Sequence, residues 1–106
     1  MRVFNYIPSV TVATAVATST AIPFGDQEGG RFHVPVGSSI TALTWYDSMS
    51  KEADATFLAA YDELGVAVTQ TVAAGYSYEI PTSLAGSAML KAVGDAAGTI
   101  NVCIKG

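Results

Sequence analysis

The stretch MLKAVGDAAGTINVCI, residues 89–104, shows the pattern that decides the fold class. Before residue 94, Met89, Lys91 and Val93 alternate with Leu90 and Ala92, and after residue 98, Ile100, Val102 and Ile104 alternate with polar or small residues. A period of two places every second side chain on the same face of a strand. Glycines at both ends of residues 94–98 mark a turn. The stretch therefore predicts a β-hairpin whose second arm is the C-terminal strand.

The same alternation recurs at intervals of about ten residues along most of the chain. The segment 10–18 is assigned to a strand because its valines and threonines are β-branched and stiff at χ1. Residues 62–65 predict another hairpin turn, with Gly65 free to adopt positive φ, and residues 82–86 have room for one short helical turn. The predicted strands cover residues 10–18, 32–34, 40–46, 57–61, 66–72, 76–80, 89–93 and 100–104.

These eight short strands predict an all-β chain that folds as a compact antiparallel β-sandwich or jelly-roll-like domain. A parallel sheet is excluded because no helical segment is long enough for a βαβ crossover. A chain of 106 residues can bury a core of its own without a metal or a disulfide. The single cysteine, Cys103, excludes an internal disulfide.

Residues 1–24 have two interpretations, and residues 25–106 form the predicted sandwich. In one interpretation the N-terminal segment is an extended arm that adds a strand to a neighbour's sheet. In the other it supplies the first strands of the domain. The arm interpretation carries a hypothesis: deletion of the first twenty or so residues should abolish assembly and leave a folded core.

A short internal similarity relates two of the predicted strands. Phe32-His33-Val34-Pro35 recurs as Tyr78-Glu79-Ile80-Pro81, 46 positions later. Each segment leads into a further strand with a core leucine. This spacing suggests equivalent elements of two packed sheets.

Composition limits the function classes. Half of the residues are hydrophobic and 13% are charged, whereas about 25% charged residues are usual in soluble domains. Such a surface is either covered by a partner or rich in neutral serine and threonine. The net charge of −4 and five scattered bases argue against nucleic-acid binding. No apolar run reaches the roughly 20 residues of a membrane span, and Asn5, Pro8 and Ser9 interrupt any signal-peptide core.

No arrangement of residues predicts a catalytic site. His33 is the only histidine, and on a strand between Phe32 and Val34 it should point to solvent. Cys103 should lie on the face opposite Val102 and Ile104. A general base needs a nucleophile and an orienting carboxylate nearby, and the spacing offers neither. We therefore expect no enzymatic activity, no catalytic residue and no cofactor.

A bound metal is also not expected. Two acidic pairs, Asp26 with Glu28 and Asp62 with Glu63, are the candidates for calcium ligands. Calcium takes six or more oxygens, which neither pair supplies, and turn formation explains Asp62 better.

Aromatic and β-branched residues are the candidates for a partner interface. Tyrosine is enriched at interfaces because it has an apolar body and a polar end. Trp45 shares a face with Leu43 and should be buried. The alternative use of exposed aromatics is stacking on the sugar rings of a glycan. The predicted interface residues are Val10, Val12, Val16, Tyr46, Tyr76 and Tyr78.

Two segments resemble small structural proteins of tailed bacteriophages. They are RFHVPVGSSITALTWYD, residues 31–47, and IPTSLAGSAMLKAVGDAAG, residues 80–98. With the hairpin at residues 60–68 between them, the resemblance covers roughly residues 30–106. It implies a capsid decoration or cement protein, located on the capsid surface of the virion, without catalytic residues. The implied partners are the major capsid protein and neighbouring copies of the chain in a homo-oligomer, with no membrane and no direct nucleic-acid contact.

Overall fold

Short strands account for most of the regular structure. The computed structural model describes residues 4–25, 29–52 and 55–105. Two 3-10 turns, Val16–Thr18 and Thr82–Leu84, connect strands. The strands are β1 (Phe4–Val12), β2 (Ile22–Pro23), β3 (Gly29–His33), β4 (Ala42–Ser48), β5 (Leu58–Ala59), β6 (Thr69–Thr71), β7 (Ser77–Glu79), β8 (Met89–Gly94) and β9 (Gly98–Lys105).

These strands form two sheets, in which all the paired strands are antiparallel. The first sheet has the order β1-β9-β3-β7, and the second has the order β2-β8-β4-β5, with β6 also paired to β4. One long two-stranded ribbon is formed by four successive pairings: β1 with β9, β2 with β8, β3 with β7, and β4 with β5 and β6. The ribbon is rolled so that β3 meets β9 and β4 meets β8. This is a jelly roll.

The predicted fold class is confirmed, with small differences in its elements. The described residues hold nine strands instead of about eight, because β5 and β6 share one strand position of the ribbon. They hold two 3-10 turns instead of one, and the predicted turn at residues 82–86 corresponds to Thr82–Leu84.

The core lies between the sheets and follows the alternation of the sequence. Phe32 of β3 meets Trp45 of β4 edge to face, with ring centroids 5.7 Å apart. Such a pair contributes about 0.5–1.5 kcal/mol beyond the area that it buries. As predicted, Leu43 and Trp45 are buried together. The other large side chains that are almost completely buried are Ile22, Phe24, Ile40, Ile80, Leu84, Leu90, Ile100 and Ile104.

The strand predicted for residues 10–18 is wrong beyond Val12. Ala13 makes an isolated parallel bridge to Val93 of the second sheet, and residues 16–18 form a 3-10 turn. The Ser19 hydroxyl accepts a hydrogen bond from Ala13 N (3.1 Å) and donates one to Ala15 O (3.1 Å). Such local side-chain bonds compete with the hydrogen-bond ladder of a sheet, and they turn the chain here.

The N-terminal segment lies in the chain's own first sheet. Strand β1 pairs with β9 from Phe4↔Lys105 to Val12↔Gly98, with a bulge between Ile7 and Val10. Ser9, in the bulge, has φ 55 and donates its N–H to Asn101 Oδ1 at 3.0 Å. The radius of gyration, 12.7 Å, is close to the roughly 13 Å of a globular domain of 100 residues. The structure therefore describes residues 4–12 as an edge strand and not as a free arm.

The interpretation of the internal similarity is wrong. The two segments do not belong to opposite sheets, because β3 pairs directly with β7 and Phe32 lies opposite Tyr78. Their rings stack with centroids 5.6 Å apart. The two segments have the same pattern because they are neighbours that bury the same face. Strand β3 begins at Gly29, three residues before the strand predicted for residues 32–34.

Candidate interaction surfaces

A short hairpin projects from the edge of the second sheet, and we call residues 60–68 the side hairpin. Trp45 N donates to Val68 O (3.0 Å), and Ala60 N donates to Trp45 O (2.9 Å). At this point β4 changes its partner from β6 to β5. Val68 N also donates to Ala60 O (2.9 Å), which closes the base of the hairpin. The intervening residues cannot pair with β4, so they extend away from the sheet.

The tip of the side hairpin is the predicted turn. Gly65 has φ 76, in the left-handed region that glycine adopts without steric cost. Asp62 Oδ1 accepts hydrogen bonds from Leu64 N (2.9 Å) and Val66 N (3.0 Å). The turn at residues 62–65 is confirmed, and the Asp62 carboxylate holds its shape through these two hydrogen bonds.

Large apolar side chains are exposed on and beside the side hairpin. We call this surface the apolar edge; it consists of Met49, Leu58, Tyr61, Leu64 and Val66. Leu64 is 82% exposed and Met49, just after β4, is 84% exposed. A groove of about 570 Å³ is lined by Met49, Leu58 and Tyr61 and reaches the 3-10 turn Thr82–Leu84. Clustered exposed apolar side chains of this kind mark interaction sites.

A second apolar surface lies at the other end of β4, and we call Val36 and Tyr76 the loop patch. Their side chains are 90% and 63% exposed. Gly75 N donates to Val34 O (2.8 Å) and Val34 N donates to Tyr76 O (3.0 Å), which ties the two loops together. Strand β4 begins beside these loops, because Val72 N donates to Thr41 O (2.9 Å). Strand β4 has seven residues at about 3.3 Å each, which makes it roughly 20 Å long, and Met49 follows its far end.

The outer face of the first sheet carries a polar groove of about 680 Å³. Gly29 and Gly30 lie on its floor, and Arg31, Glu79 and Lys105 line it. Arg31 lies between Cys103 and Glu79 in the register of the sheet. Its Nε and Nη2 donate to the Ser77 hydroxyl (3.2 Å) and carbonyl (3.4 Å).

His33 and Cys103 have the positions that the alternation predicts. His33 is exposed, and its register neighbours are Ser77 and Asn101. The Ser77 hydroxyl accepts a hydrogen bond from Arg31, a permanently charged group that cannot remove its proton. Cys103 is half-buried on the outer face.

Metal ligands do not converge in the part of the chain that the structure describes: no three His, Cys, Asp or Glu side chains lie together there. Asp26 and Glu28, the first calcium candidates, lie outside the described residues. Among the described residues, no helix is long and apolar enough to cross a bilayer.

Hydrogen bonds at the β8–β9 turn lower the pKa of the Asp95 carboxylate. Its oxygens accept hydrogen bonds from the Thr41 hydroxyl, from Thr41 N (2.9 Å) and from Ala42 N (3.1 Å). These bonds favour the charged form, the Thr41 hydroxyl most, and they hold the pKa of Asp95 below its ordinary value of 3.8. Asp95 thereby ties the β8–β9 turn to the start of β4.

The predicted interface residues are distributed over different environments. Val10 and Val12 are 1% and 0% exposed, so they pack in the chain's own core and offer no surface to a partner; this corrects their assignment. The alternation of Val10 and Val12 in the sequence is as typical of a buried strand face as of an exposed interface. Val16 and Tyr46 are half-buried and do not join the apolar edge. Tyr76 is exposed and belongs to the loop patch.

The Tyr78 side chain packs and hydrogen-bonds within the chain itself. Its ring stacks on Phe32, and its hydroxyl accepts a hydrogen bond from Ala73 N at 2.8 Å. Phe32 therefore covers one face of the Tyr78 ring, whereas Tyr76 is 63% exposed.

The sequence reading missed Met49, Leu58 and Leu64. A signal was present for two of them: Leu64 stands inside a turn, Asp62–Gly65, and Met49 stands in the most polar stretch of the chain. An apolar side chain in a segment that cannot join a sheet has no route to the core, and its exposure can be predicted. Leu58 alternates in a strand pattern and gives no such signal.

The fold and these surfaces define a single jelly-roll domain with exposed apolar contact sites. No protein-family model matches the chain, and no curated protein matches it significantly. Among solved structures, the crystal structure of the SPBc2 prophage-derived protein YomS is similar over 100% of this chain and 96% of that chain, with a TM-score of 0.59. The two sequences are 10% identical, so the similarity is one of fold.

Proposed function

We propose that this chain is a non-enzymatic structural protein of a phage particle, a decoration or cement protein that binds the outside of the capsid. Its partners are the major capsid protein and neighbouring copies of itself. Three observations support the proposal: the resemblance of residues 31–47 and 80–98 to phage structural proteins, the fold similarity to a prophage-derived protein, and the contact surfaces of the domain.

The observation that carries the proposal is the pair of apolar surfaces at opposite ends of β4. A protein that bridges two neighbours needs contact sites that point in different directions. The loop patch lies near the start of β4 and Met49 of the apolar edge follows its end, along a strand that is roughly 20 Å long. They expose side chains that gain free energy when a partner covers them. A chain with 13% charged residues fits a particle in which much of this surface is covered.

Side-chain contacts suit this domain better than addition of a strand. The edge strand β1 is interrupted by Pro8 and by the bulge at Ser9. The edge strand β2 has two residues and includes Pro23, while β7 and β5 have three and two residues. Short strands, proline and bulges protect a sheet edge against pairing with another chain.

Mass spectrometry of purified particles of the phage that encodes the chain tests the proposal. We expect the chain to be present in a copy number that matches the symmetry of the capsid lattice. Its absence from particles, or its presence in the lysate only, would contradict the proposal.

The contact site is tested by adding purified variants to particles that lack the chain. The double variant Met49→Ser, Leu58→Ser should bind at least about tenfold more weakly, because burial of two such side chains is worth more than the 1.4 kcal/mol of one decade. Tyr6→Ser is the matched control, since Tyr6 is 63% exposed on another face. Equal losses for both variants would show that the apolar edge has no special role.

A further inference from the structure

The side hairpin and the polar groove are neighbours on the surface. The 3-10 turn Thr82–Leu84 separates them, and Thr82 lines both the groove and the space beside the hairpin tip. A projection therefore stands next to a depression of the same chain.

The charges of the projection and the depression are complementary. The tip carries Asp62 and Glu63 beside the exposed Leu64. Among the described residues, the charged side chains that line the groove are those of Arg31 and Lys105, with one opposing carboxylate, Glu79. The tip is thus negative and the lining of the groove is net positive, in a chain whose overall charge is −4.

The floor of the groove can accept an apolar side chain. Gly29 and Gly30 present backbone there, and a Cβ at Gly29 would meet no atom within 4 Å. The side chain of Leu64 is 82% exposed in the single chain. The open space at Gly29, beside basic side chains, is where a leucine that is flanked by acidic residues would fit.

We propose that two copies of this chain form a two-fold symmetric dimer in which the hairpin tip of each copy enters the polar groove of the other. In a two-fold contact the same surface serves both subunits, so residue i meets residue j and j meets i. A projection beside a complementary depression satisfies this condition, with the axis passing near Thr82. The apolar contact supplies affinity, and the charges orient the encounter. The dimer itself does not depend on the proposed function. Only its role, as the contact between neighbouring copies on a particle, rests on that function.

Sedimentation equilibrium of the purified full-length chain tests the dimer without phage particles. We expect a concentration-dependent dimer that weakens when the salt concentration rises from about 0.05 M to about 0.5 M, because partly exposed charge pairs are screened. Leu64→Ser and Gly29→Gln should each raise the dissociation constant at least about tenfold. Gly29→Gln fills the groove at a position where a side chain has room, and circular dichroism checks that both variants fold.

Charge reversal identifies the contacting groups. Glu63→Lys and Lys105→Glu should each weaken the dimer, and the double variant should regain most of the affinity, because the opposite charges meet again across the axis. Glu52→Lys is the matched control: it makes the same charge change at an exposed residue outside both surfaces.

A chain that stays monomeric at all concentrations, or a dimer that none of these variants weakens, would overturn the inference. Neither result would decide the proposed function, which is tested separately by mass spectrometry of purified particles. Conversely, a dimer of the expected kind together with absence from particles would refute the proposed function alone.

Discussion

Trp45 shows how one polar atom in the core links the two sheets. Its Nε1 donates to Gln70 Oε1 at 2.7 Å, and Gln70 Nε2 donates to Glu79 O at 2.9 Å. Gln70 lies in β6 of the second sheet and Glu79 in β7 of the first sheet. A buried N–H without a partner costs about 1–3 kcal/mol. Among the described hydrogen bonds, Gln70 is the only partner of Trp45 Nε1, and it avoids this cost. The same Gln70 side chain connects the second sheet to the first.

Asp95 gives a prediction for the dependence of stability on pH. The pKa of Asp95 is lower in the folded chain than its ordinary value of 3.8. Its contribution is therefore complete above that value and is lost as the pH falls through the lowered pKa. We expect Asp95→Asn to lower the melting temperature at about pH 7 and to match the unchanged protein at about pH 2.

Thermal unfolding followed by circular dichroism measures this difference. Glu63→Gln controls for the loss of one exposed negative charge, and it should have little effect at either pH. A difference between Asp95→Asn and the unchanged protein that persists in acid would show that the carboxylate charge does not stabilise the start of β4.

At the scale of elements, the pair β3–β9 brings two backbones close at Gly30. A Cβ there would lie 2.5 Å from Cys103 O and 3.0 Å from Ile104 Cα. Gly30 pairs with Ile104 in the sheet, and its carbonyl accepts from Ile80 N at 2.9 Å. Neither backbone can move without loss of these bonds, so glycine is required.

The neighbouring glycine makes this requirement testable. We expect Gly30→Ala to reduce the free energy of unfolding by about 1–3 kcal/mol, the range for side chains forced into a packed site. Gly29→Ala should change it by less than about 0.5 kcal/mol, because no atom lies within 4 Å of its Cβ position. Urea denaturation of both variants measures the contrast, and equal effects would contradict the close approach.

At the scale of the whole molecule, the two ends of the chain are paired with each other. Strand β1 lies at the edge of the first sheet and covers β9, while β9 also pairs with β3. Val10 and Val12 of β1 belong to the same core as Ile100 and Val102 of β9. Removal of β1 would therefore open the core along the longest strand pair of the first sheet.

This arrangement reverses the deletion hypothesis drawn from the sequence. We now expect that deletion of residues 1–20 prevents folding, because it removes two buried valines and leaves β9 as an exposed edge. Far-ultraviolet circular dichroism and the dispersion of amide NMR signals would show the loss. Thr11→Ser, an exposed change on the same strand, should fold normally. A truncated chain with native spectra would restore the interpretation of residues 1–24 as an arm.

The local order of the sequence was sufficient for the class of fold and for part of the core. Alternation predicted that Leu43 and Trp45 share a buried face and that Ile100, Val102 and Ile104 share one face, because a strand places every second side chain on the same side; all five are buried. Turn residues also located the hairpin at Asp62–Gly65, because a backbone conformation with positive φ favours glycine whatever the rest of the fold is.

Only the tertiary structure decided which strands meet and which apolar residues remain outside. Period-two patterns do not record a strand's partner, so the pairing of Phe32 with Tyr78 could not be read from the sequence. Val10 and Leu58 both alternate in predicted strands, yet one is buried and the other is 67% exposed. The difference arises because β1 is covered by the opposite sheet, whereas β5 lies at an edge beside a hairpin that projects away from the core.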